Sequence, residues 1–279
     1  MKNKLQNSVI AITGAGSGIG RSLAIECAKH GAHLAISDIN FEAVKETEHQ
    51  VRTKFPDSKI DSQQVNVAER AEVENWANKV VNHYGSINVI INNAGVALSS
   101  SIESIEYKDF EWLMNINFWG VVYGSKAFLS HITKSKWGHI VNISSLFGLI
   151  STPNTSSYNA AKFAVRGFTE SLRIELLMSH PKIGVSCVHP GGIKTNIVNS
   201  AREGDAMLGA ASRMTSEQRK NEFNQKRAKT TPERAAEIIV SGIIDKKPRI
   251  LVGNDARLLD KVQRLFPVMY QKIVVKVFS

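Results

Sequence analysis

A chain of 279 residues, 43% hydrophobic and 22% charged, is long enough to bury a sizeable core, and its composition excludes wholesale disorder. The net charge of +10 is concentrated near the end, where residues 213–279 carry 15 Lys and Arg against 7 Asp and Glu. With no zinc-finger spacing or RNA-binding motif beside it, this excess points to an anionic small molecule or a membrane surface and away from nucleic acid.

The opening MKNKLQNSVIAITG lacks the long apolar stretch of a secretion signal, and no segment reaches the roughly 20 apolar residues that span a bilayer as a helix. A cytoplasmic location is therefore expected. Residues 9–12 form an apolar run that predicts a buried strand. It is followed by Thr13-Gly14-Ala15-Gly16-Ser17-Gly18-Ile19-Gly20 and then by helical periodicity up to His30-Gly31. Strand, glycine-rich turn and helix in that order can lay a pyrophosphate against a helix N-terminus, where unpaired N–H groups and the dipole favour an anion. A second strand over 33–37 ends at Asp38, whose carboxylate can accept hydrogen bonds from both hydroxyls of an adenosine ribose and repels a 2′-phosphate. Neither Ser17 nor Ile39 brings a compensating positive charge, which favours NAD over NADP; the alternative is that Asp38 merely caps the helix starting near Asn40.

Helices over 41–55 and 68–84 alternate with strands over 60–65 and 87–91, the last ending in Asn92-Asn93-Ala94-Gly95. Such alternation predicts an α/β fold with a parallel sheet and helices on both faces. Right-handed crossovers gather the strand-end loops, where ligands bind, on one edge. A long helix over 107–133 contains Asn117 within MNINFWG. Either something disturbs the helix there, or Asn117 is an exposed polar residue near a packing glycine. A strand over 139–143 leads through Ser144 and Ser145 to a helix over 157–178, and a strand over 184–188 leads into His189-Pro190-Gly191-Gly192-Ile193-Lys194-Thr195. Cys27 and Cys187 lie in apolar periodic segments and read as two reduced, buried thiols, with no metal site.

Tyr158 and Lys162 stand four residues apart, so on a helix they share one face. A phenol that titrates near pH 10 is a poor base, and a neighbouring ammonium can bring it down by about 1–3 units, into the range of efficient proton transfer. A serine hydroxyl nearby can hold the oxygen of an alcohol or carbonyl.

TGAGSGIG at 13–20, NNAG at 92–95, Asn117 in its helix, Ser145 with Tyr158 and Lys162, and PGGIKT at 190–195 stand in the order found in the short-chain dehydrogenase/reductase family, which the chain resembles over roughly residues 5–253. The resemblance implies a Rossmann-like, doubly wound sheet of about seven strands. It selects Ser145 over Ser144 as the serine that holds the substrate oxygen, makes Tyr158 the general acid/base, and gives Lys162 the nicotinamide ribose and the lowering of the phenol's pKa. Asn117 would hold a relay water. Gly14, Ser17, Gly18, Ile19 and Gly20 would line the pyrophosphate and Asp38 the ribose. Asn92, Ala94 and Gly95 would lie along the cofactor, with Pro190, Gly191, Ile193 and Thr195 flanking the nicotinamide. At the adenine edge Asn66-Val67 stands where the family commonly has aspartate before valine. The implied activity is hydride transfer between NAD(H) and an alcohol or ketone by a homodimer or homotetramer; the alternative is a non-catalytic NAD-binding or scaffold protein.

Residues 195–231 are the expected substrate lid, with Met207, Leu208 and Met214 suggesting an apolar cover and a mobile, unselective excursion as the alternative. Thr231-Pro232-Glu233 starts a helix running to about Ile244, and 249–252 reads as the final strand of a domain over 1–253. The remaining 254–279 form a basic amphipathic extension broken at Pro267. It is expected either to pack on a neighbouring subunit or across the substrate cleft, or to lie on an anionic membrane through Phe266, Tyr270 and Phe278 with Lys272 and Lys276 at the headgroups.

Overall fold

Short runs rich in Val, Ile and Ala carry the architecture. Buried on both faces, they can be satisfied only at the centre of a layered structure. In the computed structural model, which describes residues 5–279, the main sheet takes β1 (Val9–Thr13), β2 (His33–Asp38), β3 (Ile60–Gln64) and β4 (Val89–Asn92) from the first half of the chain. A short β5 (Leu98–Ser99) lies outside that sheet, which resumes with β6 (Gly138–Ile143) and β7 (Ile183–Pro190). After β8 (Arg202–Glu203), which pairs with β5 in a parallel ribbon, β9 (Arg249–Val252) completes it. All seven main strands are parallel, in the order β3-β2-β1-β4-β6-β7-β9. The sheet is the expected Rossmann-like one. The order in which strands are added reverses between β1 and β4, and ligands bind beyond the carboxyl ends of strands at such a switch point.

Helices α1 (Gly18–Lys29), α2 (Phe41–Lys54) and α3 (Arg70–Tyr84) follow the first three strands. The expected helix over 107–133 is interrupted: α4 (Tyr107–Met114) and α5 (Gly120–Ile132) flank a π-helical turn over Asn115–Trp119. The disturbance has identifiable causes. Asn117 Oδ1 accepts the Val96 N–H at 2.8 Å and its Nδ2 donates to the Val96 carbonyl at 2.9 Å, fixing the turn to the loop after β4. Gly120 lies so close to Val67 that an added Cβ would come within 2.9 Å of Val67 Cγ2. Asn117 is fully buried, so the reading of it as exposed is corrected.

Next come α6 (Ser156–Ser179), α7 (Ser216–Glu222) and α8 (Pro232–Ile244). Thr231 caps α8, its Oγ1 accepting the Arg234 N–H at 3.2 Å, with Pro232 opening the helix as expected. One apolar layer joins the sheet to α1, α2 and α8 through residues such as Leu23, Val44 and Ile239, and the other joins it to α3, α5 and α6 through Trp76, Phe128 and Leu172. Both cysteines are buried free thiols.

The extension forms α9 (Asn254–Leu265) and α10 (Tyr270–Phe278), separated at Pro267. It folds back on its own chain. Tyr270 is only 7% exposed, packed with Leu146 and Ile150, and its hydroxyl accepts the Ser151 N–H at 3.2 Å. Asp255 accepts the Gly192 N–H at 2.7 Å, and Asp260 pairs with Arg249 and Arg264. Among the described residues no helix is long and apolar enough to cross a membrane.

Candidate active site

A crevice of about 1430 Å³ opens at the carboxyl edge of the sheet. That exceeds the roughly 300–1,000 Å³ of a pocket for one small molecule, leaving space for two ligands side by side. Its floor begins at the glycine-rich turn, where Gly14, Ser17, Gly18, Ile19 and Gly20 all line it. Gly14 has φ +65°, and a Cβ there would come within 2.6 Å of Ala94 Cα; only glycine meets both demands. Gly20 sits against the Gly14 carbonyl, 2.1 Å from where its Cβ would be, so α1 starts tight under the turn. Ser17 precedes α1 without capping it, which leaves the hydroxyl and the helix's first N–H groups available to an anion.

Asp38 lines the same crevice at the end of β2. Its Oδ2 accepts the Gly16 N–H at 2.8 Å and its Oδ1 the Asn40 N–H at 2.9 Å. The helix cap is Asn40, whose Oδ1 accepts the Ala43 N–H at 3.0 Å; the alternative that Asp38 serves as that cap is corrected. Asn66 and Val67 lie further along, the Asn66 Oδ1 accepting from Ala68 N at 3.1 Å and its amide NH₂ remaining as donor. Ala94 and Gly95 line the centre, and Pro190, Gly191, Ile193 and Thr195 the opposite side. This set fits a dinucleotide: a phosphate cradle, a carboxylate for vicinal hydroxyls, and an extended floor between them.

Asn92 is not where it was expected. It is 2% exposed and turned into an amide cluster, donating to Asn142 Oδ1 at 2.8 Å and Ser125 Oγ at 3.1 Å. Asn93 lines the crevice instead, and its Nδ2 donates to the carbonyls of Thr13 (2.9 Å) and Gly14 (3.0 Å), propping the glycine turn. Because β4 is buried on both faces, polarity alternation gives no sign of which of two adjacent asparagines points outward. Asn117 is likewise behind the lining, its Oδ1 3.2 Å from where a Gly95 Cβ would stand.

At the centre, α6 places Tyr158 and Lys162 on one face as the spacing requires. Tyr158 and Ser145 both line the crevice, and the Ser145 Oγ accepts the Phe147 N–H at 3.1 Å. Ser144 is turned away: its hydroxyl donates to the Lys162 carbonyl at 2.8 Å and fastens the serine loop to α6. Lys162, 4% exposed, donates from Nζ to the Ile143 carbonyl at 3.0 Å and lies 5.6 Å from the centroid of the Tyr158 ring. Burial lowers its pKa to about 8, partly opposed by the nearby Cys187.

The expected lowering of the phenol by this lysine is corrected for the protein alone. Burial pushes Tyr158 above its ordinary value, the Ser145 side chain opposes that rise, and the Lys162 ammonium lies over the ring, 5.6 Å from its centroid. A further contributor carries no signal in the sequence: His189 Nδ1 donates to the Ser145 carbonyl at 2.9 Å, and burial lowers this ring to about 4, so it is neutral and holds the loop as a hydrogen-bond donor. No group of three or more metal-ligating side chains occurs among the described residues.

A crevice that joins a dinucleotide cradle to a tyrosine, serine and lysine suits redox chemistry at an alcohol carbon, and the sequence model for short chain dehydrogenases matches residues 8–206. The chain belongs to the short-chain dehydrogenase family. It is 42% identical to SadH of Mycobacterium tuberculosis, provisionally named an oxidoreductase, over 98% of this chain and 95% of the relative. It is 33% identical to dehydrogenase/reductase SDR family member 7B of Xenopus tropicalis, over 90% of this chain and 78% of that protein. Among solved structures, a short-chain dehydrogenase/reductase from Burkholderia phymatum in complex with NAD superposes with a TM-score of 0.86 at 24% identity, covering 96% of each chain. At that identity the likeness concerns the fold, and the family assigns the chain to the oxidoreductases.

Proposed function

We propose that the protein transfers a hydride between NAD(H) and a secondary alcohol or ketone with an apolar body. The observation that carries this reading is that Tyr158, Ser145 and Lys162 line the same crevice as the glycine turn and Asp38. Bound nicotinamide would supply the hydride acceptor or donor. Tyr158 takes the hydroxyl proton during oxidation or returns it during reduction, Ser145 fixes the substrate oxygen, and Lys162 binds the cofactor ribose. Asn117, held to Val96, supports the loop against which the cofactor lies and is the proposed holder of a relay water. Met207, Met214 and Phe223, which line the crevice, support an apolar substrate. The test is to screen alcohols of graded length and steroid-like shape for NAD reduction by NADH absorbance; no turnover with any of them would overturn the reading. The competing scaffold reading is disfavoured by the intact set Asn117, Ser145, Tyr158 and Lys162.

The lowered pKa of Lys162 has a sign that can be checked. The amine is charged below about pH 8 and neutral above, and a ribose binds the ammonium better. Cofactor binding therefore raises this pKa, and NADH affinity is expected to fall as pH rises through about 8. Fluorescence titration of NADH across this range should show the fall in the parent protein and a flat profile in Lys162→Met.

A homodimer or homotetramer formed through the outer faces of α5 and α6 is part of the proposal. Ile174, Leu177 and Met178 on α6, with Trp119 before α5, are exposed apolar side chains that such an interface would cover. We place the protein in the cytoplasm, with a second contact at a membrane. The turn between α9 and α10 exposes Phe266 (53%), Val268 (69%) and Met269, and α10 exposes Val275, while Arg257, Lys261, Lys272 and Lys276 supply positive charge. Tyr270 and Phe278 are removed from the expected membrane set, because Tyr270 is buried and Phe278 lines the crevice. Anionic lipid suits this face better than a second copy, which would bring like charges together. Flotation with anionic vesicles should recover the parent protein and lose Phe266→Ser/Met269→Ser; equal recovery of both removes the membrane contact.

A further inference from the structure

We propose that α10 forms the end wall of the substrate cleft, with Phe278 setting how long a substrate it admits and Tyr270 fixing the wall to the loop that carries Ser145. The proposal rests on the alcohol and ketone reading above and adds to it an elongated apolar substrate, its reacting carbon at Tyr158 and its far end at Phe278.

The helix supplies the wall through its periodicity. Tyr270, Val274, Val277 and Phe278 recur at the spacing of one helical face. The last three line the crevice that also contains Tyr158, and Tyr270 lies in the apolar cluster beneath it. That cluster joins Tyr270 to Leu146 and Ile150, with Phe147, Leu259 and Val274 packed against it. Phe147 in turn meets the Tyr158 ring edge to face at 6.1 Å. Apolar surface therefore continues from the reacting hydroxyl through Phe147 and Val274 to Phe278.

Both ends of α10 are held. At its start, the Tyr270 hydroxyl accepts the Ser151 N–H at 3.2 Å, six residues beyond Ser145. At its finish, the Arg227 guanidinium lies 4.7 Å from the centroid of the Phe278 ring. Gly209 adopts φ +68° beside the Phe278 carbonyl, which would stand 2.2 Å from a Cβ at that position. Arg227 and Gly209 both belong to the segment over 195–231, so Phe278 is where that segment and the extension meet. A ring at this junction limits the cleft's length, and a smaller side chain there extends it.

The test compares Phe278→Ala, Phe278→Trp and Tyr270→Phe with the parent protein. Two quantities are read: the ratio of kcat/KM for long over short alkan-2-ols, and the calorimetric affinity of cofactor-free protein for a long alkan-2-one. Phe278→Ala is expected to raise the ratio about tenfold or more, the scale on which apolar pockets discriminate by size, and Phe278→Trp to lower it. Tyr270→Phe should speed amide exchange at Ser151 and move the ratio, a readout that a merely structural tail would leave fixed. Equal effects of each substitution on all chain lengths would overturn the proposal, as would faster exchange at Ser151 with an unmoved ratio. Should the parent protein oxidise no alcohol while Phe278→Ala still alters ketone affinity, the wall stands and the hydride-transfer reading fails. Should it turn alcohols over while the ratio stays unmoved in every variant, hydride transfer stands and the wall fails.

Discussion

Tyr158→Phe is expected to lower turnover by about 10²–10⁴-fold, the span of a positioned general acid or base, while NADH binds as it does to the parent protein. The change removes one oxygen and leaves the ring packed near Leu98, Leu113 and Ala161, so the fold has no reason to yield. What disappears is the hydroxyl that shares the crevice with Ser145. Burial holds this phenol above its ordinary pKa in the protein alone, so the neutral form prevails at physiological pH. A neutral phenol is ready to protonate a carbonyl during reduction, whereas alcohol oxidation draws on the phenolate. With cofactor saturating, the oxidation rate of the parent protein should therefore climb with rising pH, and the climb should vanish in the variant. Steady-state NADH absorbance and an NADH fluorescence titration read the two quantities separately. Near-normal turnover in Tyr158→Phe would remove the tyrosine from the chemistry.

The frame of this site was legible because short-range rules determine it. Strand runs, the glycine turn and the four-residue separation of Tyr158 and Lys162 each depend on local geometry, and the observed β1, α1 and α6 follow them. The departures all involve partners distant in the chain. The π turn at Asn117 is fixed by Val96, 21 residues away. Asn92 faces inward because Ser125 and Asn142 await it there. Lys162 was expected to act on the phenol's pKa from the same helix face, and its ammonium is held by the carbonyl of Ile143, 19 residues earlier. His189 looked like a strand residue before a proline, and its use became visible only once β7 lay beside β6 and brought it to Ser145. The extension displayed its amphipathic period in the sequence, yet the surface it covers depends on Leu146, Ile150 and Ser151, more than a hundred residues earlier.

Asp38 is expected to make NAD the strongly preferred cofactor, and Asp38→Ser combined with Ile39→Arg should reverse the preference. Each carboxylate oxygen already accepts one backbone N–H, from Gly16 or Asn40, and keeps a further lone pair for a ribose hydroxyl. A 2′-phosphate in the same place would bring negative charge against the carboxylate, at a cost of roughly 4 kcal/mol per unit charge at 4 Å and an effective dielectric of 20. Arg21 does not relieve it: the guanidinium is bonded to the Gly16 carbonyl and Thr47 Oγ1, and Arg21 is absent from the crevice lining. Ile39 is exposed at the rim of that lining, so an arginine there can reach a phosphate without repacking the core. Serine at position 38 removes the repulsion and the charged acceptor, whose hydrogen bonds are worth about 1.5–3 kcal/mol, or roughly 10- to 150-fold in affinity. The ratio of kcat/KM for NAD over NADP should fall by at least that factor in the double variant, measured with one alcohol at fixed pH. If the parent protein reduces NADP as readily as NAD, the carboxylate serves only to tie Gly16 to Asn40, and cofactor choice lies elsewhere in the crevice.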